Sequence, residues 1–157
     1  MKHINLISLI IMMVALNGCP SDSQAGVSVG FQTILSGSTP INGEQGNRKI
    51  EFIHNQLSFE ATLSSYSNVP VEQIDFSENQ VILLSMGEKP TGGYTIRVDS
   101  VEEINGTLKL IATETHPGSN CMVTQALTAP YLFVKVLSVE RIETVVVRTE
   151  VVDCNAS

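Results

Sequence analysis

Residues 81–86 read Val-Ile-Leu-Leu-Ser-Met, an apolar run interrupted only by Ser85, and no other stretch constrains the fold as strongly. A strand with one wet face alternates apolar and polar residues. A strand apolar at successive positions must be covered on both faces, so it lies in the middle of a folded unit. The run leads directly into Gly87-Glu88-Lys89-Pro90-Thr91-Gly92-Gly93-Tyr94. Pro90 fixes its own φ and drives Lys89 toward extended backbone, while Gly92 and Gly93 can take φ > 0 without a Cβ clash. Tyr94 then sets a large amphipathic ring beside open backbone. Two readings stand for this loop: a hairpin turn ending in a strand-initial core tyrosine, or a loop that binds a partner.

Around the central run, short apolar or period-two stretches dominate. Residues 29–35 and 49–53 read as strands, separated by a segment over 36–47 rich in Gly, Ser, Asn and Pro that reads as an exposed loop. The period changes over 54–66, where Phe59, Leu63 and Tyr66 fall at i, i+4 and i+7 behind Asn55, a good N-cap. This predicts one helix over 56–65 with those three residues as core anchors, and Pro70 breaks the pattern. Tyr94, Ile96 and Val98 alternate with Thr95, Arg97 and Asp99, and Asn105-Gly106 is a strong signal for a type I′ hairpin. Leu108, Leu110 and Ala112 continue on the return strand. Residues 116–129 read as a long irregular connection, Leu132, Val134 and Val136 mark another strand, and residues 143–152 make the last. Parallel βαβ architecture would need several long helices. The expected fold is therefore mainly β: an antiparallel β-sandwich or open barrel of about seven strands with one short α-helix, an α+β roll being the alternative.

The N-terminus is of another kind. Lys2 and His3 precede an apolar run over 6–16, broken only by Ser8 and too short to span a bilayer, which reads as a secretory signal. It ends in Leu16-Asn17-Gly18-Cys19, which resembles the bacterial lipobox with Cys19 as the lipid-bearing residue; an ordinary signal peptide cut nearby is the alternative. The expected organisation is a signal peptide over 1–18, a polar tether over 19–28 and a single domain over 29–154, held by its lipid in the bacterial cell envelope and facing the periplasm or the cell surface. Lys2 is one of nine basic residues, so eight remain against sixteen acidic ones, a formal charge of −8. Nucleic acid is disfavoured as a partner, and with no long block of like charge the acidity reads as a solvated surface. The other two cysteines, Cys121 and Cys154, would meet an oxidising compartment and are expected to form a disulfide, two buried free thiols being the alternative.

Chemistry is conspicuous by what is missing. The sequence contains no phosphate-binding loop, dinucleotide fingerprint or zinc-protease motif. His54 and His116 lack the spacing of a metal site and read as ordinary exposed or turn residues, and no cofactor is implied. Glu102 and Glu103 point to opposite faces of a strand and make a poor acid/base pair. Cys121 beside His116 could suggest a nucleophile, but its expected pairing with Cys154 argues against it. The chain is expected not to be an enzyme.

Three segments occur in order: Asp75-Phe76-Ser77, the Gly87-to-Tyr94 loop, and Thr124-Gln125-Ala126-Leu127-Thr128-Ala129-Pro130-Tyr131. On these the chain, over roughly residues 55–139, resembles the PrcB C-terminal-domain family of small exported, often lipid-anchored proteins, whose namesake binds and stabilises an exported protease. The resemblance implies association with an exported protease or another envelope protein. It places the contact on Pro90, Thr91, Gly92, Gly93, Tyr94, Thr124, Gln125, Pro130 and Tyr131, with the membrane held through lipid on Cys19. The alternative for Tyr94 and Tyr131 is that both are core residues whose hydroxyls satisfy loop backbone. The loop is also similar to that of chagasin-type protease inhibitors, but Lys89 stands where their Asn would be, Gly92 where their second Thr would be, and there is no Trp for their second loop. Direct protease inhibition and a structural envelope lipoprotein without a protease partner are the alternative functions.

Overall fold

The structure, a computed structural model, describes residues 26–42 and 46–154. The expected signal peptide, Cys19 and most of the tether lie outside the described residues. In chain order the elements are β1 (Val27–Ser28), β2 (Phe31–Gly37), β3 (Lys49–Ile53), α1 (Gln56–Tyr66), β4 (Gln80–Ser85), β5 (Thr95–Ile104), β6 (Thr107–Pro117), β7 (Tyr131–Val136) and β8 (Ile142–Val152). They form two four-stranded sheets, β1-β5-β6-β8 and β2-β7-β4-β3.

The strand faces explain the layers. Ile82 and Leu84 of β4, with Leu132, Val134 and Val136 of β7, pack against Val101, Leu108, Leu110 and Ala112 of the first sheet. The intervening residues Val81, Leu83, Tyr131 and Phe133 turn the other way and pack with Phe59, Leu63 and Tyr66 of α1. The second sheet thus lies between the first sheet and the helix, which is why β4 is apolar at successive positions and buried along its whole length. Each fully buried Val, Leu, Ile or Phe among them contributes about 1.5–3 kcal/mol of apolar transfer free energy.

Local signals hold where the chain supplies its own partners. Asn55 caps α1 by accepting a bond from the Ser58 amide at 2.8 Å. Asn105 (φ 55°) and Gly106 (φ 75°) both take left-handed backbone, as the tight β5–β6 hairpin requires. Asp75-Phe76-Ser77 is a turn: the Asp75 carboxylate accepts bonds from the Ser77 hydroxyl (2.6 Å) and amide (2.9 Å), and these bonds, the hydroxyl's first, hold its carboxyl below the usual range.

The mainly β sandwich with one short helix is the expected architecture, with eight strands described where about seven were expected. Other expectations are corrected. Val27 and Ser28, expected in the tether, pair as β1 with Glu103 and Glu102. The irregular connection is shorter than expected, because β6 continues through His116 and Pro117. One strand pair is parallel: β6 and β8 align side by side because β7, between them in sequence, belongs to the other sheet.

Candidate functional site

The two longer motif segments, far apart in sequence, lie against each other at one end of the sandwich. Met86 donates its amide to the Pro130 carbonyl (2.9 Å), Lys89 and Thr128 exchange both backbone bonds (2.7 and 3.0 Å), and Gly92 donates to the Thr124 carbonyl (2.9 Å). The Thr128 hydroxyl adds a bond to the Thr91 carbonyl at 2.8 Å. The result is an irregular antiparallel ladder in which every rung ties one segment to the other. The paired glycines follow from it. A Cβ on Gly92 would overlap the Thr124 hydroxyl, and Gly93 has φ +87° with Val123 and Pro117 where a Cβ would stand.

The connection carrying the second segment is also fixed at its start. Cys121 and Cys154 form the expected disulfide, with Cα atoms 4.9 Å apart. Gly118 donates to the Val152 carbonyl (2.9 Å), and the Cys154 amide donates to the Asn120 side chain (3.3 Å). A loop without regular structure is thereby held at both ends and in its middle. Its surface side carries Thr124, Gln125 and two apolar side chains that sequence reasoning did not single out, Met122, fully exposed, and Leu127, 56% exposed.

Beneath the ladder the core turns polar. Tyr94 lies on the face of its strand that Ile96 and Val98 continue inward; its half-buried ring meets the His116 ring edge-on at 5.1 Å and carries the Lys89 ammonium 5.8 Å from its centre. His116 and Glu114 extend the inward row of Leu108, Leu110 and Ala112 on β6. The Glu114 side chain, 7% exposed, forms an ion pair with Arg48 at 2.9 Å that lacks the alignment of a hydrogen bond, and His116 Nε2 is 3.8 Å from its other oxygen. His116 is therefore a strand residue seated on Tyr94, not a turn residue. Glu114 and Arg48 went unnoticed in the sequence, although the two-residue period of β6 placed Glu114 on the core face.

The expected contact residues separate into two groups. Pro90 and Gly93 are exposed, Thr91 and Tyr94 half-buried, and Thr124 and Gln125 exposed; Gly92 is buried under Thr124. Pro130 and Tyr131 belong to the interior, which corrects their placement on a contact surface. Tyr131 is 5% exposed, its ring packs on Tyr66 and Phe133, and its hydroxyl donates to the Tyr66 carbonyl at 3.1 Å. Burial pushes its phenol pKa up. For Tyr131 the core reading is the one the structure shows. A shallow depression of ≈ 220 Å³ separates the two tyrosines, bounded by Ser36, Ser38 and Ile96. Among the described residues no three His, Cys, Asp or Glu converge as metal ligands.

Residues 80–137 match the family model described as PrcB C-terminal, a range that contains both ladder segments and is narrower than the resemblance read from the sequence. It excludes the Asp75 turn and the helix. No curated protein and no solved structure matches the chain.

Proposed function

We propose that the chain is an exported, lipid-anchored, non-catalytic binding protein that associates with and stabilises a protease of the bacterial envelope, using the ledge built by residues 90–94 and 122–127. The observation that carries this reading is the ladder: two segments within the range of the family match are zipped into one surface feature on a rigid scaffold. A surface fixed before binding loses little conformational entropy when a partner docks. Tyr94, Met122 and Leu127 supply the partly exposed aromatic and apolar groups that contact surfaces use as anchors, and the exposed Thr124 and Gln125 supply polar contacts at their edge. Lipid on Cys19 would hold this surface close to the membrane, with the residues up to 25 as a short tether.

The test is capture from the native envelope with the full chain, followed by mass spectrometry, comparing wild type with Leu127→Asp and Tyr94→Ala. The expected result is a protease recovered by wild type and depleted by both variants at equal amounts of folded protein. Recovery of no protease would refute the protease reading; recovery unaffected by both variants would refute the ledge. Anchoring is tested separately: Cys19→Ser is expected to move the protein from the membrane to the soluble fraction.

A further inference from the structure

Four strands bound the two sheets, and three have features that discourage pairing with another chain. β1 has two residues, β3 has five, and the register of β2 shifts between Thr33 and Leu35. β8 is different. It has eleven residues, pairs with β6 in unbroken register from Thr144 to Val152, contains no proline, and is rich in β-branched residues. Its second half is exposed, and among the described residues the strand ladder on it is that of β6 alone.

Its orientation follows from one bond. The Val152 carbonyl accepts the Gly118 amide, and Gly118 continues β6. By the two-residue alternation of a strand, Glu150 and Arg148 also turn their backbone groups toward β6, so Val147, Thr149 and Val151 turn theirs to the open edge. Val145 and Val147 send their side chains to the core. Arg148 and Glu150 lie on the opposite, outer face.

We infer that β8 pairs antiparallel with β8 of a second copy of this chain about a two-fold axis through Thr149. The charges select this register. Antiparallel neighbours share a face, so with the axis at Thr149 each Arg148 stands opposite Glu150 of the second copy, and this occurs twice. Moving the axis to position 148 sets Arg148 against itself; moving it to position 150 sets Glu150 against itself. The axis at Thr149 also sets Val147 opposite Val151 and Val146 opposite Val152, and it joins the open backbone groups of Val147, Thr149 and Val151 in about six hydrogen bonds. The two first sheets become one continuous eight-stranded sheet.

The experiment is sedimentation velocity of the full chain in detergent, from roughly 1 µM to 1 mM. Wild type is expected to pass from monomer to dimer as concentration rises. Arg148→Glu, which leaves the Arg97–Glu150 contact in place, is expected to raise the midpoint concentration about tenfold or more, since it replaces two attractions by two repulsions. The double reversal Arg148→Glu, Glu150→Arg is expected to restore it. Thr149→Pro removes an amide that faces the open edge rather than β6, and is expected to keep the monomer folded, as followed by circular dichroism, while abolishing the dimer. A wild type that stays monomeric throughout overturns the inference, as does a dimer indifferent to Arg148→Glu, or a folded double reversal that stays monomeric.

Discussion

The two tyrosines invite a paired test, because the same residue type in two family-like segments does two different jobs. Tyr131→Phe removes one hydroxyl and leaves the ring. The Tyr66 carbonyl loses its 3.1 Å partner but keeps the Ile41 amide at 3.4 Å, so the cost is that of one modest hydrogen bond, about 1 kcal/mol. Tyr131→Ala also removes a buried ring packed 4.9 Å from Tyr66 and 6.2 Å from Phe133, which costs about 3–5 kcal/mol. Tyr94→Ala loses an edge-on contact with His116 and a partly solvated cation–π contact with Lys89, about 1 kcal/mol together. At roughly 3–5 °C per kcal/mol for a domain of this size, Tyr131→Ala lowers Tm by about 9–25 °C and the other two by only a few degrees. Partner capture per folded molecule reads the second job: it is expected to be unchanged in Tyr131→Phe and to fall about tenfold in Tyr94→Ala. Thermal melts followed by circular dichroism and quantitative capture from envelope extracts supply both numbers. If Tyr94→Ala melts as early as Tyr131→Ala and captures normally, the division of labour between the two rings is wrong.

Reducing the Cys121–Cys154 bond releases a loop with a sequence separation of 33 and is expected to cost about 3–4 kcal/mol on the chain-entropy view, seen as a lower denaturant midpoint in the presence of dithiothreitol. The raised Tyr131 pKa sets an alkaline limit. Its contribution is whole below the unfolded value of about 10 and is lost as pH climbs from there through the higher folded value, because the unfolded chain then sheds the proton first. Urea titrations across that range should show the loss, and Tyr131→Phe should flatten it. Arg48→Ala strips the nearly buried Glu114 of its guanidinium partner and is expected to cost about 1–3 kcal/mol, less than for a fully buried pair because Arg48 is half exposed; Glu114→Gln in the same background should recover part of the loss in a melting experiment. Gly93→Ala combines left-handed backbone with crowding from Val123 and Pro117, and is expected to cost at least about 1 kcal/mol and to weaken capture by loosening the ladder.

Much of the fold was legible because its signals are local. The unbroken apolar run of β4 announces two covered faces whatever covers them, Asn55 offers its oxygen to an amide three residues on, and Asn105-Gly106 can take the backbone of a tight hairpin with little strain. The candidate site was legible only as its parts. Its two segments could be named from composition and likeness, but nothing local says that Lys89 and Thr128 exchange backbone bonds or that Gly92 rests under Thr124.

Period two states that neighbouring residues point apart without stating what each will meet. Tyr131 begins β7 and Tyr94 immediately precedes β5, yet β7 lies between the first sheet and the helix, so Tyr131 is enclosed, while Tyr94 stays half-buried. The same ambiguity hid Glu114, whose inward carboxylate is met by Arg48 from the segment just ahead of β3, and it hid the parallel partnership of β6 and β8, which depends on where β7 is inserted. Sequence alone determined the strand faces, the helix and the turns, since each is decided within a few residues. The tertiary structure decided which face is covered, which segments touch and which edge is left open, since those depend on the order of strands in the two sheets.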